Sequence, residues 1–147
     1  SRRRPSSCWA ADPGRAMPAA LPAVVMLLPD DAGRLLVIRR AEGRPRAGWW
    51  SPPTGRVEPG ETEPEAVARE LREELGLAGH AVRRVWECPT DDGRYTLGWW
   101  LCTAAHGEIV ADPREEAEWR WVDQAEFAAL GAVFASHRAF LREWWPQ

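Results

Sequence analysis

Glu70, Glu73 and Glu74 stand at i, i+3 and i+4 in a segment whose apolar residues Val67, Leu71 and Leu75 recur at helical spacing. On a helix their carboxylates share one face, within an arc of about 100°. Like charges so placed destabilise a helix by roughly 0.2–0.5 kcal/mol per pair. These also sit near the C-terminal end, where the helix dipole disfavours negative charge. Arg69 and Arg72 offset part of the repulsion, and Arg69 reaches both Glu65 and Glu73 at four-residue spacing. A solvated mixed-charge helix explains the charges but not their clustering against the dipole. A divalent cation explains both, because hard oxygen ligands converging from one helical turn suit Mg²⁺ or Mn²⁺.

The chain around them is 147 residues long, enough for one domain with a hydrophobic core and too short for two. Apolar residues make up 45% and charged residues 28%, the balance of an ordinary globular protein. A net charge of -3 gives no electrostatic footprint for duplex nucleic acid. All 19 basic residues are arginine, which excludes a Schiff-base or phosphate-loop lysine and suits phosphate recognition. Cys8, Cys88 and Cys102 are odd in number and lack metal-ligand spacing, so a disulfide framework and a zinc site are excluded and a reducing, cytoplasmic compartment is expected. Arg2, Arg3 and Arg4 ahead of the apolar stretch Ala16 to Leu28 imitate a secretion signal. Pro18 and Pro22 interrupt that stretch, however, and it is too short to span a bilayer, so no membrane partner is expected. Residues 1–18, rich in Arg, Pro, Ser and Ala, read as a disordered leader or upstream sequence, with Met17 as a natural start; the domain occupies 19–147.

The elements that must position the glutamates follow from patterning. Ala23–Leu28 and Leu35–Ile38 are short apolar runs around the turn signal Pro29 to Gly33, which predicts a hairpin buried on both faces. Residues 41–59 read as a Gly/Pro-rich loop holding Trp49 and Trp50. A helix is expected over 63–75, with Thr62 as its N-cap, Pro64 in its first turn and Gly76 as its C-terminal stop. Strands over 81–88 and 94–104 flank the turn Thr90 to Gly93. In the second of them Tyr95, Leu97, Trp99 and Leu101 line one face and mostly small residues line the other, as if a helix packs there. Cys88 and Cys102 would not lie opposite each other, so both are expected to stay thiols. A short strand over 119–122 leads to an Asp123-capped helix and to a last helix over 133–145. Doubly buried strands with helices predict an α/β fold, a mixed sheet between helical layers.

The run from Gly55 to Leu77 resembles the Nudix box: glycine, five residues, Glu61, seven residues, then Arg69-Glu70-Leu71, Glu73-Glu74 and Gly76-Leu77. The resemblance extends over about residues 21–145, through Arg39-Arg40, Trp50 with Pro53, and the run 118–122. One departure is Thr54, where family members often carry a second glycine whose carbonyl joins the metal shell. The resemblance implies a Nudix-type α/β/α sandwich and hydrolysis of a nucleoside diphosphate linked to some group X, dependent on Mg²⁺ or Mn²⁺. It implies Glu70, Glu73 and Glu74 as metal ligands with the Thr54 carbonyl, Glu61 and Arg69 as a salt-bridged support, and Gly55 and Gly76 as backbone fixtures. The general base would be Glu73, or an acidic residue of the loop 111–118, where Glu115, Glu116 and Glu118 are candidates beside Glu70.

Adjacent strand residues point to opposite faces, so only one of Arg39 and Arg40 is expected to touch a diphosphate. The same alternation allows at most one each of Trp49/Trp50 and Trp99/Trp100 in a common pocket, and Trp50 and Trp100 are the candidates for stacking on a base. Trp144 and Trp145 are assigned to packing, and His137 to a satisfied position at the core edge. A nucleoside triphosphate or modified nucleotide is the leading substrate class. ADP-ribose, nucleotide sugars, dinucleoside polyphosphates and non-nucleotide diphosphates are alternatives, and a non-catalytic nucleotide-sensing module is the rival class. A monomer and a homodimer are equally compatible with the sequence.

Overall fold

The computed structural model describes residues 19–105 and 107–146. The leader assigned to residues 1–18, with Cys8, lies outside them. Seven strands and three helices follow in order: β1 Leu21–Leu27, β2 Leu35–Arg40, β3 Trp50–Ser51, β4 Thr54–Arg56, α1 Glu63–Leu75, β5 Gly79–Pro89, β6 Tyr95–Ala104, β7 Glu116–Val122, α2 Gln124–Ala129 and α3 Ala135–Glu143.

The strands form two sheets, a four-stranded one in the order β4-β1-β6-β5 and a three-stranded one in the order β3-β2-β7. The first is mixed, with β1 and β6 parallel and the other pairs antiparallel. The expected hairpin of the first two runs is therefore corrected. Both edges of β1 are taken, by β4 and β6, while β2 pairs with β3 and β7. A bridge between Pro29 and Leu35, the Leu36 N–H on the Leu28 carbonyl and the Asp30 N–H on the Arg34 carbonyl close the turn between them. The loop expected over 41–59 is corrected too, since β3 and β4 lie inside it; strands of two and three residues are too short to show alternation.

Burial on both faces of the central strands divides the core in two. Val24, Met26, Leu36 and Ile38 pack with Ala66, Val67, Leu71 and Leu75 of α1. Ala23, Val25, Leu27, Leu35 and Val37 pack with Trp99, Phe127 of α2, and Phe140 and Leu141 of α3. The alternation read along β6 holds, with Leu97 and Trp99 on the α3 side and Trp100 and Cys102 on the α1 side. Cys102 faces Ala81 and Cys88 faces Leu97 across the β5–β6 ladder. Trp144 and Trp145 pack against the α3-side core, as expected.

The helix that carries the glutamates spans the predicted residues. Thr62 and Glu65 form a reciprocal capping box at its start, and Gly76 ends it in the left-handed region at φ 66°. Its other end is held by the β6–β7 loop, where the N–H groups of Val110 and Asp112 donate to the carbonyls of Leu75 and Glu74 at 2.9 and 3.1 Å. Those bonds satisfy carbonyls that a helix end leaves without partners. They also bring the loop that leads into β7 against the last turn of α1.

Candidate active site

Arg69 organises the loop before α1. Its guanidinium donates in a fork to Glu61, 2.8 and 2.9 Å, and to the Arg56 carbonyl at 2.8 Å. The remaining N–H groups reach Glu70 at 2.8 Å and Glu73 at 3.1 Å. All five donors of the side chain are thereby used. The Glu61 carboxyl is held below its ordinary range, chiefly by the Arg69 hydrogen bonds, which outweigh the opposing effect of burial. The expected support of loop on helix is present as an ion pair.

Gly55 of β4 lies directly against Glu70. A Cβ at position 55 would sit 2.3 Å from Glu70 Cγ and 2.8 Å from Oε2, so only glycine leaves room for this carboxylate. Thr54 occupies the next position of β4, paired with Val25, and its carbonyl is on the strand that runs beside Glu70. Glu70 is thus buried, with Oε1 held by Arg69. Glu73 is the exposed member, turned towards Arg69.

Glu74 is half-buried, and Glu116 is buried beside it. Burial is the largest influence on Glu74 and pushes its pKa up, reinforced by the neighbouring carboxyls of Glu70 and then Glu116. Glu116, the first residue of β7, is 3% exposed, and neither of its carboxylate oxygens has a hydrogen-bond donor. Its pKa is likewise pushed up, mainly by burial. Three carboxyls from α1 and β7 therefore converge, and among the described residues only Glu70 of the three is paired with an arginine, Arg69. Among the described residues, no three His, Cys, Asp or Glu side chains as placed enclose a metal position. Glu73, the remaining carboxyl on this face of α1, is turned away to Arg69.

The other loop acids are engaged elsewhere. Glu115 pairs with Arg44, and Glu118 with Arg39 at 3.1 Å and Arg120 at 3.3 Å. Glu118 is accordingly held below its ordinary range by those hydrogen bonds. The strand alternation separates the two arginines of β2 as expected. Arg39 faces Glu118 across the ladder, whereas Arg40 is charge-coupled to Glu74 and Glu115 and has a buried Nε without a partner.

The candidate tryptophans lie apart from the carboxyls. Trp50 is buried in the α3-side core, with the Arg120 guanidinium 4.7 Å from its ring centre. Trp100 donates from Nε1 to Glu63 at 2.9 Å, at the first turn of α1. Trp49 instead lies in the β2–β3 loop, 5.1 Å from Phe134, with the Arg46 guanidinium 4.7 Å from its ring. Sequence reading passed over Arg44, Arg46 and Phe134; the basic spacing of 40, 44 and 46 ahead of two tryptophans was the available signal. It also misjudged His137. That ring is buried, as expected, but Nδ1 has no partner, because its surroundings are aromatic rings. Two surface hollows of about 410 and 490 Å³ lie elsewhere, one between α2 and α3 and one beside the β1–β2 turn.

Comparison with known proteins identifies the family. The NUDIX domain model matches residues 20–144. An RNA pyrophosphohydrolase of Erythrobacter litoralis is 30% identical over 142 residues, covering 80% of this chain and 86% of that protein. The CTP pyrophosphohydrolase of Escherichia coli K12 is 41% identical over 98 residues, covering 65% and 73%. A MutT protein from Methanosarcina mazei Go1 has the same fold, with a TM-score of 0.76 at 23% identity over 88% of this chain and 95% of that one. With the domain model spanning both sheets and all three helices, and the box residues gathered around one buried carboxylate pocket, the chain belongs to the Nudix family and is a Nudix hydrolase.

Proposed function

We infer that this hydrolase cleaves the diphosphate linkage of a small nucleotide, a nucleoside triphosphate or modified nucleotide, with the help of Mg²⁺ or Mn²⁺. One observation carries the reading: the Glu116 carboxylate is buried with no arginine paired to it, against Glu74, which lies in turn beside Glu70. Unpaired buried charge of one sign is costly, and a divalent cation with hard oxygen ligands relieves it. The donor set therefore fits such an ion. Glu70, Glu74 and Glu116 would hold it, joined by the Thr54 carbonyl and by Glu73 once that side chain leaves Arg69. When bound, the ion supplies charge neutralisation on the phosphate oxygens and lowers the pKa of a coordinated water.

The rest of the work falls to the chain. Phosphoryl chemistry asks a protein mainly for positioning and for neutralising charge. Arg40, directed to the same side as Glu74 and not matched by a carboxylate partner of its own, would bind the phosphates. Arg39, committed to Glu118, would remain a surface charge. Arg69 and Glu61 would fix the orientation of Glu70 relative to β4. For proton removal from the attacking water, Glu116 holds no arginine, Glu73 shares only the Arg69 that Glu61 and Glu70 already occupy, and Glu115 and Glu118 hold arginines of their own. We assign the role to Glu73, which is exposed to water and within reach of the same face of α1.

The test is release of phosphate or pyrophosphate with Mg²⁺ or Mn²⁺ across canonical and oxidised nucleoside triphosphates, ADP-ribose and dinucleoside polyphosphates, with Glu74→Gln alongside. Turnover of nucleoside triphosphates, reduced at least about a hundredfold in Glu74→Gln, is expected, because even outer partners of metal ligands are worth 10–100-fold. Turnover confined to ADP-ribose or dinucleoside polyphosphates would replace the substrate class. Nucleotide binding without turnover and without dependence on the metal would replace the enzyme reading by a sensing module.

A further inference from the structure

The arginines of the β2–β3 loop are held in different ways. Arg44 is tied down: its Nη1 donates to the Glu115 carbonyl at 3.4 Å and pairs with the Glu115 carboxylate, and the Ala41 N–H donates to the same carbonyl at 3.1 Å. Arg46 is exposed and rests on rings instead. Its guanidinium lies 4.7 Å from the Trp49 ring and 5.6 Å from the Phe134 ring, and no ion pair holds it among the described residues. Trp49 and Phe134 are themselves only half-buried and stand 5.1 Å apart, tilted at 56°. One guanidinium in contact with both rings means that they border a single space, and the exposure of Arg46 means that this space opens to solvent. A turn shapes it. The Trp49 N–H donates to the Arg46 carbonyl at 3.0 Å, and Arg46 takes φ 60°, a sparsely populated region where the other described residues are glycines.

The same space adjoins the carboxylates through Arg40. The Arg40 N–H donates to the Trp49 carbonyl at 2.9 Å, and the two side chains leave the same side of the chain pair, since both reach Phe134, Arg40 at 5.6 Å. Arg40 is also charge-coupled to Glu74 and Glu115. Neighbouring side chains thus lead from Glu74 through Arg40 and Phe134 to the open face of Trp49.

We propose that Trp49 is the residue on which the base of the substrate stacks, with Arg46 as the group that the base displaces. The proposal rests on the nucleotide reading above, in which Arg40 takes the phosphates. A guanidinium on an indole face stands where a stacked base would lie, because both are flat groups drawn to the same π surface. Every base has a face to offer, so this contact favours a nucleotide over a bare diphosphate without reading which base it carries. The neighbouring Trp50 differs on both counts. It is buried, and the Arg120 guanidinium above it is held by Glu118 at 3.3 Å.

The experiment titrates two non-hydrolysable ligands, adenosine α,β-methylene diphosphate and the base-free methylenediphosphonate, into the protein by calorimetry with Mg²⁺ present. Wild type should bind the first at least about tenfold tighter than the second. Trp49→Ala should weaken the first at least about fivefold and leave the second unchanged, and Trp49→Phe, which restores a ring face, should recover most of the loss. A merely structural role predicts parallel losses for both ligands with a lower thermal midpoint, and that result overturns the proposal. If Trp49→Ala fails to fold, Trp49→Leu, apolar but without a π face, takes its place. Arg46→Ala should bind the nucleoside ligand at least as tightly as wild type; weaker binding would make Arg46 a ligand rather than an occupant and overturn the exchange. Equal wild-type affinity for the two ligands, or a preference that Trp49→Ala keeps, overturns the stacking site and leaves the diphosphate reading standing. Binding of neither ligand by folded wild type overturns the nucleotide reading itself.

Discussion

Gly55 shows how one residue can be tied to chemistry it does not perform. Its missing Cβ is the space occupied by Glu70 Cγ and Cδ, both within 2.4 Å of where that atom would lie. Gly55→Ala must therefore displace Glu70 or the backbone of β4, and overpacking of that kind costs about 1–3 kcal/mol. The expected result is a lower thermal midpoint together with weaker Mg²⁺ binding by calorimetry; unchanged Mg²⁺ binding would separate Gly55 from the carboxylate pocket. At this scale the box residues were legible because each answers a local requirement: Glu61 and Arg69 a fork, Gly76 a left-handed turn, Glu70 a glycine opposite. His137 was not, because spacing alone gives its side of a helix and not the chemistry of the rings around it. Nor did adjacency reveal that Glu115 and Glu118 are spent on arginines while Glu116 is left without a donor.

Among the elements, α1 is held at both ends by bonds of different kinds. Its first turn is pinned to β6 through Glu63, which accepts from Trp100 Nε1 at 2.9 Å and from Arg84 Nε at 3.1 Å. Gly98 makes the room, since a Cβ there would lie 2.0 Å from Glu63 Oε1. Gly98→Ala should push Glu63 off Trp100 and cost about 1 kcal/mol for the lost hydrogen bond. Chemical denaturation measures that cost, and a double substitution with Glu63→Ala tests its origin: the penalty of the alanine at 98 should shrink when the glutamate is already gone. The helix was readable from its cap, stripe and stop because those signals lie within a few residues of one another. Pairing of β1 with β6 and of β2 with β7 was not, since each depends on partners more than seventy positions away. A turn signal suggested the nearest partner, and the sheet used a distant one.

For the molecule as a whole, the aromatic layer beneath α3 predicts a response to acid. Burial pushes the pKa of His137 down to about 3, helped by the Arg40 charge, from an ordinary value of 6.5. Between those values the unfolded chain holds the proton and the folded chain does not. Stability from the neutral ring is therefore complete above about pH 6.5 and is lost as the pH falls towards 3. Wild type should lose thermal midpoint from pH 7 to 5 more steeply than His137→Phe, and parallel curves would show that this ring does not govern the acid response. No helix of the described residues is long and apolar enough to cross a membrane.

The bonds from Val110 and Asp112 to the end of α1 make the pocket depend on a loop as well as on a helix. Glu74 belongs to a helix that local signals define, whereas Glu116 begins the strand that follows the loop docked on the Leu75 and Glu74 carbonyls. Two N–H groups thus tether the β7 carboxylate to the face that carries the others. A change in the length of that loop would shift the spacing of the carboxyls without touching one of them.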